Sequence, residues 1–321
     1  MITQMLHVND VTLRAVISGR TQPPFAGTLV LLHGFTGSAE SWEMFFEEPG
    51  KATICKGDHI QGDHKGRPYN NTEAWSSIVG ADPCGRPGLL QKGLQNWRFI
   101  AFDLLGHGQS STPADPARYT MEACQEDLLA ALRQLCVAEG EAVLLGYSLG
   151  GRIACYCAFS GFFRALILES ASPGLASEQE RVARRRSDEA LAERIECEGV
   201  TAFVDYWEQI PLFASQRHLP APVWDAQRAQ RLRNHPQGLA NSLRGIGTGA
   251  QPPLHDRLQF LAIPVMLIVG ELDSKFCDIA RQMTAVLPHA ELHIVPHAGH
   301  TVHLEQPKTF AGLVREFCLN I

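Results

Sequence analysis

Leu144-Leu145-Gly146-Tyr147-Ser148-Leu149-Gly150-Gly151-Arg152 is the stretch on which the rest of the chain turns. The apolar run Ala142 to Leu145 stops at Gly-Tyr-Ser-Leu-Gly, and a small-residue helical pattern, Arg152 to Phe159, follows at once. G-x-S-x-G between a strand and a helix is the setting in which the pattern marks a nucleophile elbow. The turn is tight, so the flanking positions must lack bulk, and Gly146 and Gly150 meet that need. Ser148 is then expected above the edge of a sheet, with the next helix starting beneath it. The plain alternative is a glycine-rich strand–helix turn with no chemistry, and the partners decide between the two.

An elbow serine requires a carboxylate and then a histidine later in the chain. Pro264 to Gly270 is a short apolar run closed by glycine, which reads as a buried parallel strand. Glu271-Leu272-Asp273 follows it. Ala290 to Pro296 reads as another short strand, followed by His297-Ala298-Gly299-His300. Loops after the last two strands meet at the carboxyl edge of a parallel sheet, where such proteins build their sites. Asp273 is therefore assigned as the orienting acid and His300 as the base, with Glu271, His297 and His303 as rivals in the same loops. An oxyanion hole would come from the loop after an earlier strand. Thr28 to His33 is such a strand, so the backbone N–H groups of Phe35 and Leu149 are the expected donors. His33 reads as a histidine that ties loops together. Asp103 and His107, in Phe102-Asp-Leu-Leu-Gly-His-Gly-Gln-Ser110, read as loop organisers.

Composition fits a compact enzyme: 321 residues, 45% hydrophobic, formal net charge −6. That charge argues against a nucleic-acid surface. No stretch approaches the ~20 apolar residues of a membrane span. The N-terminus shows no basic region followed by an apolar core, so a cytoplasmic protein is expected. Nine cysteines are scattered. Cys136, Cys155, Cys157 and Cys277 lie in apolar patterns and read as small buried residues rather than disulfide partners.

Strand and helix signals alternate from about 97 to 170, the signature of a doubly wound, mostly parallel sheet. Residues 171–257 break it with charged helical blocks, Glu178–Gly199, Val200–Gln209 and Pro222–Leu232, punctuated by prolines. A helical insert between core strands reads as a lid. The expected organisation is a core of 1–170 and 258–321, a helical cap of 171–257, and a long irregular insert at about 47–97. Cys55, His59, His64 and Cys84 in that insert fit no zinc spacing, so no metal is expected.

Six segments resemble one family: Leu31 to Trp42, Phe102 to Ser110, Gly146 to Arg152, Leu168-Glu-Ser-Ala-Ser-Pro-Gly-Leu175, Asn241-Ser-Leu-Arg-Gly-Ile-Gly-Thr-Gly-Ala-Gln251 and Ala298 to Pro307. Together they look like the 2-succinyl-6-hydroxy-2,4-cyclohexadiene-1-carboxylate synthases, α/β-hydrolase-fold lyases of menaquinone and phylloquinone biosynthesis. The resemblance covers nearly the whole chain except about 47–97. It implies an α/β class chain with the α/β-hydrolase fold, a small polycarboxylate substrate, no cofactor and elimination of pyruvate without added water. Arg152 lies one helical turn past Ser148 and offers a planar carboxylate grip. By resemblance, Tyr147, Arg184, Arg233 and Trp207 join it as substrate contacts; the alternative for the cap arginines is a solvated helix face. Two other functions share these motifs: a serine carboxyl-ester or carbon–carbon hydrolase, and a non-catalytic binding protein of the same fold.

Overall fold

The computed structural model describes residues 1–45 and 93–321. Most of the expected 47–97 insert therefore lies outside the described residues. Its last residues belong to the core, since Leu94 and Trp97 are buried.

One eight-stranded sheet organises the described residues. The strands are β1 (Ile2–Val8), β2 (Val11–Gly19), β3 (Gly27–Leu32), β4 (Trp97–Phe102), β5 (Ala142–Tyr147), β6 (Phe163–Glu169), β7 (Val265–Gly270) and β8 (Ala290–Val295). Their spatial order is β1-β2-β4-β3-β5-β6-β7-β8. β1–β2 and β2–β4 pair antiparallel, and every other pair is parallel. Alternation explains why the central strands are apolar throughout. Val30 and Leu32 of β3 face one core while Leu29 and Leu31 face the other. Strand side chains alternate in direction, so a strand covered on both sides needs apolar residues at every position. β8, at the edge, shows the contrast: only Val295 of its six residues is buried.

Around the sheet stand α1 (Met121–Gln134), α2 (Leu149–Cys157), α6 (Ser274–Val286), α7 (Val302–Glu305) and α8 (Pro307–Asn320); a helical cap of α3 (Glu178–Trp207), α4 (Ala221–Leu232) and α5 (Pro236–Ile246) is inserted between β6 and β7. Ser177 and Glu180 form a reciprocal capping box at the start of α3. Gly199, at φ 82°, interrupts that helix where the sequence separates two helical blocks. Ala192, Ile195, Phe203, Val204, Leu239 and Leu243 form a cap core of their own. The sequence pattern did not announce α5, which contains Gly238 and Gly245. A Cβ on Gly238 would collide with the Gly106 carbonyl oxygen. The helix is glycine-bearing because it lies backbone-to-backbone on a core turn, not because it is a loop.

One buried-cysteine expectation fails. Cys155, Cys157 and Cys277 are buried, but Cys136 is exposed. It sits just past α1 at φ 54°. The Cys136 N–H donates to the Arg133 carbonyl and the Val137 N–H to the Leu132 carbonyl, a Schellman ending. Glycine suits that left-handed position better than any side chain does. Cys136→Gly should therefore raise stability by roughly 0.5–1 kcal/mol. A denaturation midpoint at or below that of the parent protein would contradict this.

Candidate active site

Ser148 joins β5 to α2 at φ 50° and ψ −107°. A side chain in this region is strained, and the close packing around it holds it there. A Cβ on Gly150 would overlap the carbonyl oxygens of Leu32 and His33, so the turn can close only with glycine at that position. The Ser148 N–H donates to the Glu169 carbonyl at 2.9 Å.

His300 Nε2 is 3.0 Å from Ser148 Oγ, and His300 Nδ1 is 2.7 Å from Asp273 Oδ2. A carboxylate accepts only, so Nδ1 carries the proton and donates to Asp273. Nε2 is then free to accept from the serine hydroxyl. Asp273 follows β7, and its other oxygen accepts the Phe276 N–H at 3.3 Å, capping α6. His300 follows β8 and is 1% exposed. The three expected residues therefore meet. Their rivals do not join them. Exposed Glu271 accepts the N–H of exposed His297 at 3.3 Å. His303 Nδ1 is held by the buried Glu169 carboxylate at 2.8 and 2.9 Å. That pair was not foreseen. Glu169 bonds the elbow through its carbonyl and the histidine loop through its carboxylate, so it joins the two. A carboxylate closing the apolar run of β6 was the available signal.

The loop after β3 lies over the elbow. A Cβ on Gly34 would be 2.5 Å from Tyr147 and 3.5 Å from Ser148 Cβ. Neither the Phe35 nor the Leu149 N–H donates to a protein acceptor among the described residues. His33 fixes this loop. Its Nδ1–H donates to the Gly34 carbonyl at 2.7 Å, and Nε2 accepts from the Leu104 N–H at 3.0 Å. Burial pushes its pKa down to about 4, so the ring is neutral and its tautomer set. Asp103 accepts from the Ala39 and Gln109 N–H groups, both at 2.7 Å, and from Arg14 at 3.2 Å. His107 Nδ1–H donates to the Leu105 carbonyl. The cap also reaches the loop. Asn234 Nδ2 donates to the Thr36 carbonyl at 2.8 Å, and the Gln230 amide is hydrogen-bonded to the hydroxyls of Ser38 and Ser41.

Arg152 is partly buried, one turn beneath Ser148. Its Nη1 donates to the Ile246 carbonyl at 2.8 Å and to Gln251 Oε1 at 2.9 Å. No carboxylate lies within ion-pair distance of it among the described residues. Desolvation first, and the nearby Arg184 charge second, push its pKa down to about 9. A cation enclosed without a counter-ion is costly, and an anion brought to it relieves that cost. Arg184 is exposed and pairs with Asp188 at 2.7 Å. Trp207 stands among Phe35, Phe203 and Phe213, with ring centroids 5.4–5.8 Å away, and its buried Nε1 has no acceptor among the described residues. The Tyr147 hydroxyl is hydrogen-bonded to Thr301 Oγ1 at 2.7 Å, and burial raises its pKa. Arg233 is exposed at the end of α4. Two residues earlier, Arg231 is buried, paired with Glu208 at 3.2 Å, and its charge is felt at Tyr147. The arginine facing the elbow from α4 is thus Arg231.

Comparison with known proteins agrees with this geometry. The alpha/beta hydrolase fold family matches residues 81–307. A Bacillus subtilis (strain 168) protein, provisionally named as a 2-succinyl-6-hydroxy-2,4-cyclohexadiene-1-carboxylate synthase, is 38% identical over 93% of each chain. The enzyme of that name from Serratia proteamaculans (strain 568) is 37% identical over 70% of this chain and 84% of its own. Among solved structures, MenH from S. aureus superposes with a TM-score of 0.75 at 28% identity, covering 94% of this chain and 97% of that one. An enol-lactonase from Burkholderia xenovorans LB400, at 19% identity and a TM-score of 0.71, shares the fold. With its elbow, its inserted cap and these relatives taken together, the chain belongs to the 2-succinyl-6-hydroxy-2,4-cyclohexadiene-1-carboxylate synthase family of the α/β-hydrolase superfamily.

Proposed function

We propose that this protein is a carbon–oxygen lyase of menaquinone biosynthesis. It converts 2-succinyl-5-enolpyruvyl-6-hydroxy-3-cyclohexene-1-carboxylate into 2-succinyl-6-hydroxy-2,4-cyclohexadiene-1-carboxylate and pyruvate. In this reading Ser148 Oγ gives its proton to His300 Nε2 and takes one from an acidic C–H of the ring. Asp273 holds the imidazole in the required tautomer and supports its charge. The C–H electron pair moves into a new ring double bond, and the bond to the enolpyruvyl oxygen breaks. The departing group receives the proton held by His300 and leaves as pyruvate, while the ring's proton stays on Ser148 and restores the hydroxyl. The Phe35 and Leu149 N–H groups face the enolate-like charge that develops.

The observation that carries this reading is Arg152. A plain esterase has no need of an enclosed, carboxylate-free guanidinium under its nucleophile, whereas a substrate with several carboxylates supplies the missing anion. On the cap side we assign Trp207, Arg184 and Arg231 as further substrate contacts. We read residues 171–257 as a lid over the site. We read the protein as cytoplasmic; the cysteines among the described residues are free, which suits a reducing compartment. No helix among the described residues is long and apolar enough to cross a membrane.

A base that only moves a proton leaves no covalent intermediate. Incubation with the substrate should release pyruvate, a p-nitrophenyl ester should be hydrolysed negligibly, and intact-mass spectrometry of quenched enzyme should show no adduct on Ser148. An accumulating acyl-enzyme, or rapid ester hydrolysis without pyruvate release, would assign the site to a hydrolase instead.

A further inference from the structure

The Arg152 guanidinium is held on one side only. Nη1 is used twice, by the Ile246 carbonyl and by Gln251 Oε1, whereas Nε and Nη2 make no hydrogen bond among the described residues. Gln251 itself is fully buried, at 0% exposure. Its backbone N–H donates to the Gly247 carbonyl at 3.1 Å, which fixes the residue at the end of the cap. A Cβ on Gly174, at φ 98°, would be 3.3 Å from Gln251 Nε2, so the amide is also confined from the β6 side. Gln251 Nε2 is buried and has no partner among the described residues. A fully buried amide with only its oxygen engaged is costly, and among the described residues its side-chain hydrogen bond is to the arginine.

We propose that Gln251 is a positioning residue for the substrate carboxylate grip: its neutral oxygen pins Nη1 of Arg152 and leaves the rest of the guanidinium free. Neutrality is the central point. A carboxylate in the same place would hold the guanidinium as firmly, but would also supply the counter-ion that the substrate is meant to bring. The selected residue is thus an acceptor without charge. The depressed pKa of Arg152 agrees, since Gln251 orients the cation without neutralising it. Asp188 is paired with Arg184 at 2.7 Å; its charge partly offsets that of Arg152 through space, but it lies beyond ion-pair distance and leaves the guanidinium without a carboxylate of its own.

The proposal rests on the polycarboxylate lyase reading, and two variants separate the two ideas. Gln251→Glu adds an internal counter-ion with almost no change of shape. Its thermal midpoint should lie at or above that of the parent protein, while KM for the 2-succinyl-5-enolpyruvyl-6-hydroxy-3-cyclohexene-1-carboxylate substrate rises at least tenfold and kcat changes less than threefold. Gln251→Met keeps the volume and loses the acceptor; KM should rise severalfold with no gain in stability. A residue that merely fills space would move the midpoint and leave KM alone. KM within twofold of the parent value in both variants overturns the proposal. A lower midpoint in Gln251→Glu also overturns it, because the glutamate would then have found no uncompensated cation, and this arm needs no turnover. A parent protein that releases no pyruvate defeats the lyase reading, and the midpoint arm still decides the Gln251–Arg152 contact.

Discussion

Ser148→Ala should reduce pyruvate release by on the order of 10²–10⁴ while leaving the fold intact, because a positioned general base contributes that much. The elbow does not need the hydroxyl for its shape. The Ser148 N–H, not the side chain, bonds Glu169, and the turn closes through Gly150. His300→Ala and Asp273→Asn should each cause losses of the same kind, the latter by admitting the wrong imidazole tautomer. The three act as one unit, so a double variant should lose little beyond the worse single one. Circular dichroism and a thermal melt establish that each variant is folded, and a lactate-dehydrogenase-coupled assay reads pyruvate. Full activity in Ser148→Ala would remove the serine from the mechanism. Full activity in Asp273→Asn is not expected from Glu271 taking over, since Glu271 is already bonded to the His297 N–H on the exposed side of the loop.

Arg152→Ala is expected to lower kcat/KM about tenfold to a hundredfold, corresponding to roughly 1.5–3 kcal/mol for a charge-assisted contact removed from water. Arg152→Lys should recover only part of this, because an ammonium lacks the planar fork. The wild-type protein offers a second test by pH. The Arg152 pKa is pushed down to about 9, so the cationic form that binds a carboxylate is fully present below that value and is lost above it. kcat/KM, which reports the free enzyme, should therefore fall as pH rises through about 9, and Arg152→Ala should lack that limb. If Arg152→Ala retains the parent kcat/KM, the carboxylate is held elsewhere in the cap and the strongest physical support for the lyase reading is gone.

The triad was legible in the sequence because its constraints are local and ordered. Each member follows an apolar run that could only be a covered strand, and parallel strands deliver their following loops to one edge. The same logic placed β3, β5, β7 and β8 to within two residues and found the break at Gly199. The cap side of the site was harder, because helix phase decides it. Arg231 and Arg233 lie two residues apart, about 200° around a helix, so a small change in where α4 ends exchanges the buried arginine for the exposed one. Motif spacing alone does not choose between them; the Glu208 partner and the Phe213 ring do. Cys136 was misread for a related reason. Leu135-Cys136-Val137 is apolar in composition, but the helix ends there in a left-handed residue that turns the middle side chain outward. Glu169–His303 and Arg152–Gln251 are pairings separated by 134 and 99 positions, and nothing local in the sequence announces them.

The bonds from Gln230 and Asn234 to the loop of residues 36–41 bear on how such a protein diversifies. In an inserted cap one expects a cassette, a unit that can be traded between lineages while the catalytic floor stays put. Here the end of α4 grips the segment carrying Phe35 and Thr36, and Asn234 also accepts the Gly108 N–H of a second core loop. Cap and floor therefore share their fastenings. A new cap that arrives by recombination inherits this floor in working order only if it brings its own equivalents of Gln230 and Asn234. Change in substrate range is then easiest through single substitutions on the inner faces of α3 and α4, with the seam between the two parts left as it is.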